Sequence, residues 1–276
     1  METVMMLGKA VAAAARTQIE ASLAAAKARG EEVTLAIVTV GADPASQVYK
    51  NRLVKMTEGI GAQVQLVELA ATATQSAVEE AIIQLNQNPA ITGILPMMPL
   101  PPHLNADAIG AVLAPAKDVD CLSPLNAGEL YLGHSRWAPC TARACMATLA
   151  HYEIALQGKN VVVLGRSNVV GKPVALLLLR ENATVTICHS RTTNLPAVLR
   201  SADIIVAAVG IPGFIQPEMV KEGVVIVDVG INATAEGICG DVAPAVAAKA
   251  SAFTPVPGGI GVVSNMMVME MLSRQL

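Results

Sequence analysis

Two glycines separated by five residues mark the stretch of this sequence that is best suited to binding a ligand. Gly165 directly follows an apolar, β-branched run at residues 161–164, and Gly171 is followed closely by Pro173. The run predicts a parallel strand covered on both faces, and the proline suits the first turn of a helix. Since a helix start favours anions, the stretch predicts a strand, a phosphate-binding loop and a helix. The spacing differs from Gly-x-Gly-x-x-Gly, so a plain strand–helix turn that binds nothing is the alternative.

The next predicted strand, residues 184–188, ends in hydroxyl and cationic side chains. A site for NAD usually carries Asp or Glu at the end of this strand, where the carboxylate binds the ribose 2′-hydroxyl. Ser190 and Arg191 stand there instead, and they suit a 2′-phosphate. Arg166, in the neighbouring loop, can supply a planar bidentate partner for the same phosphate. These residues favour NADP over NAD as the cofactor.

Composition limits the classes of protein to which this chain can belong. Of its 276 residues, 53% are apolar and only 2% are aromatic, which predicts a substantial aliphatic core in one or two domains. The net charge of −3 and the scattered Lys and Arg argue against a nucleic-acid surface. No stretch approaches the roughly 18 apolar residues of a membrane span.

The five cysteines and four histidines show no metal-binding spacing. Cys121, Cys140, Cys145, Cys188 and Cys239 form no Cys-x-x-Cys pair. The sequence therefore predicts reduced thiols, a cytoplasmic location and no metal site.

The order of the predicted elements indicates an α/β fold. Strands are predicted at 33–40, 63–69, 91–95, 161–164, 184–188, 204–209 and 224–228, and helices at 3–29, 46–57, 74–86, 105–113, 139–152 and 264–274. This alternation predicts parallel sheets with right-handed crossovers, in two α/β domains around a cleft that would hold a small molecule. Residues 232–242 are predicted as a loop.

A proline-dense segment at residues 96–103 interrupts the alternation. Prolines at this density exclude a helix or a central strand. The segment follows the carboxyl end of a predicted parallel strand, where ligands bind in open α/β sheets. The charged loop at 117–120 comes next, and its Asp120 is either a ligand-binding carboxylate or a loop cap.

Several motifs, taken together, resemble the bifunctional methylenetetrahydrofolate dehydrogenase/methenyltetrahydrofolate cyclohydrolase family. They occur in the family's order across nearly the whole chain, at Gly41–Tyr49, Pro99–Pro101, Lys117–Asp120, Pro139–Thr141, Gly165–Ser167, Gly171–Pro173, Cys188–Ser190, Asp228–Asn232, Gly240–Val242 and Thr254–Gly259. No single motif is decisive, whereas their joint occurrence is highly specific.

The resemblance implies a domain organisation and an activity. A folate-binding domain is expected at residues 1–138, completed by a C-terminal helix at 262–276, and a Rossmann-like NADP-binding domain with a parallel sheet at 139–261. The implied reaction is the NADP-dependent oxidation of 5,10-methylenetetrahydrofolate to 5,10-methenyltetrahydrofolate in one-carbon metabolism. The implied assembly is a homodimer formed through the cofactor domains.

The resemblance also implies roles for individual residues. Tyr49 would stack on the pterin and Asp120 would accept hydrogen bonds at its edge, as a flat ring and an ionised carboxylate can do. The expected substrate-binding residues are Tyr49, Pro99, Leu100, Asp120, Pro257, Gly258 and Gly259. The expected cofactor-binding residues are Gly165, Arg166, Ser167, Gly171, Ser190 and Ile231.

Two positions depart from the family's pattern. Where the family has a lysine one helical turn after the tyrosine, this chain has Leu53, and where it has a glutamine two residues before Pro-Leu-Pro, this chain has Met97. In the family this pair assists water attack on the methenyl carbon. Leu53 cannot carry a proton and Met97 is at best a weak acceptor, so we expect weak or absent cyclohydrolase activity. Arg52 could reach the site, but only as a fixed charge.

Two other functions remain open at this stage. The loss of the lysine and the glutamine is compatible with a catalytically silent protein that binds NADP or folate and acts as a sensor or subunit. The altered residues 96–98 are also compatible with a dehydrogenase that acts on a different one-carbon substrate. Turnover of methylenetetrahydrofolate separates the first from an enzyme, and binding of several reduced folates addresses the second.

Overall fold

The chain divides into two compact units. The structure is a computed structural model that describes residues 2–134 and 137–274. One unit holds Pro139–Met267 with the residues before Ala15, and the other holds Ala15–Ala138 with the residues after Met267. We call them the Gly165 unit and the Tyr49 unit, after a residue in each. Residues 275 and 276 of the expected C-terminal helix lie outside the described residues.

Strands and helices alternate along most of the chain. The strands are β1 (Val4–Met5), β2 (Thr34–Val40), β3 (Gln63–Leu69), β4 (Gly93–Pro96), β5 (Asn160–Leu164), β6 (Thr184–Cys188), β7 (Ile204–Ala207), β8 (Val225–Asp228), β9 (Asn232–Thr234), β10 (Gly237–Cys239) and β11 (Ala252–Phe253). The helices are α1 (Gly8–Ala28), α2 (Pro44–Gly59), α3 (Gln75–Gln87), α4 (Ala106–Val112), α5 (Pro124–Tyr131), α6 (Cys140–His151), α7 (Gly171–Arg180), α8 (Leu195–Ser201) and α9 (Ile260–Ser273).

The Tyr49 unit is built on a parallel sheet in the order β3-β2-β4. Ala36 and Val38 of the central strand pack against α3 and α4, in a core with Ile82, Ile94 and Ile109. The segment that contains Lys117 and Asp118 runs parallel to β4. Ile94 of β4 forms a parallel bridge with Asp118, and the Ile94 N–H donates to the Lys117 carbonyl at 2.7 Å. The residues that follow β2, β4 and this segment therefore leave the sheet at the same edge.

The Gly165 unit is built on a six-stranded sheet in the order β1-β11-β8-β7-β5-β6. All of its pairings are parallel. Every residue of β7 and β8 is buried, as expected for strands covered on both faces. The predicted α/β class with a Rossmann-like parallel sheet is confirmed.

The N-terminus differs from its prediction. The helix predicted from residue 3 begins only at Gly8, because Val4–Met5 form a strand beside β11. The Val4 N–H donates to the Ser251 carbonyl at 2.9 Å and the Met6 N–H to that of Phe253 at 2.8 Å. Partners so distant in sequence leave no trace in the local pattern of residues 3–7.

A hairpin and a short helix were not predicted either. The segment predicted as a loop at 232–242 contains the antiparallel hairpin β9–β10, in which Ile238 pairs with Ala233. Helix α5 follows the charged loop; the Ser123 hydroxyl caps it by accepting from the Leu125 N–H at 3.3 Å. Both are short, and short elements depend mainly on tertiary contacts rather than on intrinsic propensity.

Lys117 anchors the loop that leads to Asp120, and removing its charge is expected to destabilise the protein. Its ammonium donates to the carbonyls of Leu85 (3.2 Å), Asn86 (2.9 Å) and Asn88 (2.7 Å) at the end of α3, where a cation is also favoured by the helix dipole. Lys117→Met should lower the free energy of unfolding by about 1.5–3 kcal/mol, the range for hydrogen bonds to a charged group.

Urea denaturation at neutral pH measures this loss. Lys55, exposed on α2, is the matched control, and Lys55→Met should change stability by no more than about 0.5 kcal/mol. Equal effects of the two substitutions would contradict the anchoring role of Lys117.

Candidate functional site

The loop from Gly165 to Gly171 is so tightly folded that no residue larger than glycine fits at either of these two positions. Gly165 has φ +126°, and a Cβ there would overlap the Ala208 carbonyl oxygen. A Cβ on Gly171 would overlap the Gly165 carbonyl oxygen and lie 2.8 Å from the Arg166 nitrogen. The backbone of the loop thus closes on itself between β5 and α7. This compact arrangement is the form that strand–loop–helix phosphate sites take.

Ser167 closes this loop and corrects one expectation about the helix start. Its hydroxyl accepts from the N–H groups of Val170 (3.1 Å) and Gly171 (3.4 Å), and its carbonyl accepts from Lys172 at 3.1 Å. A helix start ordinarily leaves its first N–H groups free for an anion, but those of Gly171 and Lys172 are already bound by Ser167. The partial positive charge of the α7 N-terminus remains available to an anion.

Arg166 and Ser190 leave the sheet at the same edge. Leu164 and Cys188 are register partners on the parallel strands β5 and β6, and the Gly165 N–H donates to the Cys188 carbonyl at 2.9 Å. Arg166 and Ser190 each follow two residues later, and both are exposed. A guanidinium and a hydroxyl at the ends of adjacent strands suit a phosphate group.

The turn that carries Ser190 is held from within. The His189 N–H donates to the Thr192 hydroxyl at 2.9 Å, and the Arg191 N–H donates to the His189 ring at 3.2 Å. His189 therefore supports this turn through both its backbone and its ring. Arg191 itself is exposed, beside Ser190.

The remaining residues predicted for the cofactor and the folate in this unit lie on its loops. Ile231 follows β8 and is 66% exposed, which is unusual for an isoleucine. Gly258 has φ +107°, and its carbonyl accepts from the Gly8 N–H at 2.8 Å. Pro257 follows a cis peptide bond, and a Cβ on Gly259 would lie 2.5 Å from the Pro255 carbonyl oxygen.

In the Tyr49 unit, the two positions that depart from the family's pattern are buried. Tyr49 is half-buried on α2, whose first turn is capped by the Asp43 carboxylate accepting from the Ser46 N–H at 2.8 Å. Leu53, one turn later, is fully buried. Met97 is 4% exposed, and its N–H donates to the Val38 carbonyl at 2.8 Å. Neither side chain can donate a proton.

The basic residues near Tyr49 on α2 differ in burial and in pairing. Lys50 is only 6% exposed, and its ammonium pairs with the Glu68 carboxylate on β3. Arg52 and Lys55 are exposed on α2. Lys50 is therefore committed to an ion pair, a contact that the sequence pattern did not indicate.

Asp120 lies in a loop that is organised by a second, buried carboxylate. Asp118 is 1% exposed, and it accepts from the N–H groups of Asp120 (3.3 Å), Leu122 (3.1 Å) and Ser123 (2.8 Å) and from the Asn126 amide (2.9 Å). Burial raises the pKa of the Asp118 carboxyl above its usual range, and these hydrogen bonds oppose that rise. No sequence pattern indicates this role of Asp118, since its partners are mostly backbone amides.

Pro99 and Leu100 lie at the same sheet edge as Asp120. They follow β4, and the Met98–Pro99 peptide bond is cis. The parallel bridge between Ile94 and Asp118 brings the segments that lead to Pro99 and to Asp120 side by side. The structure thus places Tyr49, Pro99, Leu100 and Asp120 in one unit, and Pro257, Gly258 and Gly259 in the other.

The donor chemistry of the Gly165 unit fits a phosphorylated dinucleotide. The space at Gly165 and Gly171 that a Cβ would fill lies beside the exposed side chains of Arg166 and Ser190. Within residues 2–134 and 137–274, no group of three or more His, Cys, Asp or Glu side chains is arranged to hold a metal ion. None of the helices described is both long and apolar enough to cross a membrane.

Family models match both parts of the chain. The model for the tetrahydrofolate dehydrogenase/cyclohydrolase catalytic domain matches residues 6–120, and that for the NAD(P)-binding domain of the same enzymes matches residues 139–276. Bifunctional protein FolD from Herpetosiphon aurantiacus is 47% identical over 273 residues, which cover 98% of this chain and 96% of that protein.

Solved structures show the same fold over nearly the full length. The FolD methylenetetrahydrofolate dehydrogenase/cyclohydrolase from Campylobacter jejuni superposes with a TM-score of 0.96 at 39% identity, covering 99% of this chain and 98% of that one. The Trypanosoma brucei enzyme, solved with NADP and an inhibitor, gives a TM-score of 0.94 at 36% identity, covering 100% and 97%.

Proposed function

Since this chain belongs to the tetrahydrofolate dehydrogenase/cyclohydrolase family, we propose that it is chiefly a dehydrogenase whose cyclohydrolase step is weak or absent. It is an NADP-dependent oxidoreductase of one-carbon metabolism that acts on 5,10-methylenetetrahydrofolate. The observation that carries the proposal is the burial of Leu53 and Met97 at the two positions where the family has a lysine and a glutamine.

Hydride transfer does not need the missing residues. The carbon between two folate nitrogens loses a hydride while a nitrogen lone pair stabilises the cation that forms, and no side chain takes a proton. The cofactor supplies the hydride acceptor, and the protein contributes mainly by holding the two reactants in place. We assign Tyr49 to stacking on the pterin and Asp120 to accepting hydrogen bonds from it, with Pro99, Leu100, Pro257, Gly258 and Gly259 as further substrate contacts.

Hydrolysis of the methenyl product does need a proton carrier. Water must lose a proton as it attacks the carbon, and a positioned general acid or base typically contributes about 10²–10⁴ in rate. Leu53 cannot supply this, and Lys50 is paired with Glu68. Product release as intact 5,10-methenyltetrahydrofolate follows from this arrangement.

A two-wavelength assay tests the proposal. With methylenetetrahydrofolate and NADP supplied, we expect NADPH and the methenyl product to accumulate in equal amounts. The methenyl absorbance should then decay at the rate measured without protein. Faster decay would contradict the loss of cyclohydrolase activity. The absence of NADPH, despite measurable binding of NADP or folate, would favour the catalytically silent sensor or subunit that Leu53 and Met97 also allow.

We assign the NADP 2′-phosphate to Arg166 and Ser190, and the rest of the cofactor to Gly165, Ser167, Gly171 and Ile231. Arg166→Ala should raise the KM for NADP about 10- to 100-fold, as expected from losing charge-assisted hydrogen bonds worth about 1.5–3 kcal/mol. The KM for NAD, which lacks this phosphate, should change little. Steady-state kinetics with both cofactors measures the difference.

Arg200 offers the matched control for this substitution. It is exposed near the end of α8, which leads into the amino end of β7, and it donates to the Glu218 carbonyl at 3.2 Å. Arg200→Ala should leave both KM values within about twofold, in line with surface substitutions. An equal rise in the KM for NADP and in the KM for NAD in Arg166→Ala would contradict the assignment of Arg166 to the 2′-phosphate.

The proposed function also implies a domain organisation and an assembly. We propose a folate-binding domain at 1–138, completed by the helix at 262–276, and an NADP-binding domain at 139–261. We further propose a cytoplasmic homodimer formed through the NADP-binding domain, where Ile211 and Ile238 are exposed apolar side chains. Light scattering on the purified protein measures the mass of the assembly.

A further inference from the structure

Two buried aspartates lie together at the carboxyl end of the sheet in the Gly165 unit, and the proposed function gives neither a role. Asp228 ends β8 and is 2% exposed. Asp241 follows β10 and is fully buried. Because a buried carboxylate is costly unless its oxygens accept hydrogen bonds, the donors around these residues show what they hold in place.

Asp241 binds three consecutive backbone amides. One carboxylate oxygen accepts from the N–H groups of Val209 (2.6 Å) and Gly210 (2.9 Å). The other accepts from the Ile211 N–H (3.0 Å) and from the side-chain amide of Asn232 (2.9 Å). Successive N–H groups that converge on an anion form a backbone nest, here filled by the protein's own carboxylate. The carboxylate thus ties the loop after β7 to the start of β9.

Asp228 in turn holds the backbone of Asp241. Its carboxylate accepts from the N–H groups of Gly230 (2.9 Å), Asp241 (3.0 Å) and Val242 (2.9 Å). Burial, together with the charge of Asp241, raises the pKa of Asp228 to about 6, while these hydrogen bonds oppose the rise. The two aspartates therefore form a single unit in which Asp228 fixes where Asp241 stands.

Glycine is required at two positions to admit these carboxylates. A Cβ on Gly230 would overlap an Asp241 carboxylate oxygen and lie 2.6 Å from the Asp241 nitrogen. A Cβ on Gly240 would overlap an Asp228 carboxylate oxygen and lie 2.6 Å from its carboxyl carbon. The motifs at Asp228–Asn232 and Gly240–Val242 are thus joined by the hydrogen bonds of these two carboxylates.

The loops tied together by Asp241 adjoin the residues assigned to NADP. Ala208, just before the bound amides, packs its carbonyl against Gly165 of the phosphate loop. Asn232 directly follows Ile231. Gly210 and Ile211 are exposed, so the hydrogen bonds to Asp241 supply the restraint that burial does not.

We propose that Asp241 is a positioning residue for NADP binding, which rests on the proposed function of the Gly165 unit. Its carboxylate holds residues 209–211 and Asn232, and through them it sets the places of Gly165 and Ile231. Asp241 is buried and satisfied within the protein, so it acts without touching the cofactor.

The test is Asp241→Asn in the full chain, with NADP affinity measured by calorimetry. An amide cannot accept at its NH₂ end, so two of the four hydrogen bonds are lost. The Kd for NADP should rise at least about tenfold, equivalent to about 1.4 kcal/mol. The KM for methylenetetrahydrofolate and kcat at saturating NADP should stay within about twofold. Without cofactor, amide exchange at residues 209–211 should become faster, a readout that does not depend on activity.

Asp203 is the matched control, because it lies at the opposite end of the same sheet. It pairs with Lys221 at 2.6 Å and accepts from the Asn160 N–H at 2.9 Å. Asp203→Asn should leave the Kd for NADP unchanged. If Asp241→Asn does not fold, Asn232→Ala removes one donor and should raise the Kd by a smaller factor.

The outcomes separate the two proposals. An unchanged Kd in the folded Asp241→Asn protein, or in Asn232→Ala when that variant is needed, would overturn the positioning role. A rise in the KM for folate equal to that in the Kd for NADP would overturn it as well, because that pattern indicates general destabilisation. Failure of the unmodified protein to bind NADP would refute the proposed function instead.

Discussion

Gly171→Ala should lower the affinity for NADP by about 100-fold or more, equivalent to about 2.7 kcal/mol. The added Cβ would overlap the Gly165 carbonyl oxygen and lie 2.5 Å from its carbon and 2.8 Å from the Arg166 nitrogen. All three are backbone atoms, which cannot move aside as a flexible side chain can. The loop must therefore open, and the start of α7 and Arg166 move with it. Calorimetric titration with NADP measures the loss, and thermal denaturation reports the accompanying fall in Tm.

Gly128→Ala is the matched control for this effect. Gly128 lies in α5, and nothing stands within 4 Å of the position that its Cβ would take. Alanine is also the better helix former, so Tm should stay constant or rise slightly, with unchanged NADP affinity. Normal NADP binding by Gly171→Ala would show that the closed loop is not needed for the cofactor.

The double substitution Leu53→Lys with Met97→Gln should raise the hydrolysis of methenyltetrahydrofolate by about 10²–10⁴, the usual contribution of a positioned general acid or base. It would restore the two residue types that the family uses, one on α2 and the other just after β4, at the sheet edge that also carries Asp120. The measurement is the decay of methenyl absorbance with added protein, corrected for the spontaneous rate. Dehydrogenase activity should change much less, because hydride transfer moves no proton to a side chain.

The control exchanges the same two positions for apolar residues. Leu53→Met with Met97→Leu conserves volume, and such swaps usually cost less than about 1.5 kcal/mol of stability. Since neither new side chain can carry a proton, hydrolysis should stay at the spontaneous rate. Leu53 is fully buried, so Leu53→Lys without the glutamine should be markedly less stable than the double variant, because it buries an unpaired charge. Equal hydrolysis by the apolar and polar pairs would refute the assignment.

Long-range pairing accounts for most of the elements that could not be predicted from the sequence. Strands β2 to β8 were predicted near their observed positions because buried parallel strands are apolar runs, and such runs can be found locally. Strands β1 and β11 have two residues each and exist only because they pair with one another and with β8. Elements of this length carry no periodicity from which they could be predicted.

Some residues of the candidate site could be predicted from the sequence, whereas others could not. Gly165, Gly171, Arg166 and Ser190 were predicted as candidate site residues from residue type and spacing, because a close backbone approach demands glycine and a phosphate demands donors. The carboxylates of Asp118 and Asp241 were not assigned, although both lie in motifs that were noticed. Their partners are backbone amides, which every residue possesses, so no sequence pattern distinguishes them.

Residue chemistry alone determined that this protein has a loop suited to a phosphorylated dinucleotide, and that positions 53 and 97 cannot move protons. Those conclusions depend on what a side chain can donate, accept or sterically allow, and this is a property of each residue type. Tertiary structure decided that Lys50 is paired with Glu68, that Ser167 occupies the first N–H groups of α7, and that Asp241 joins two loops. Such facts depend on which groups meet after the sheets form, and pairing across a sheet is set by the whole chain.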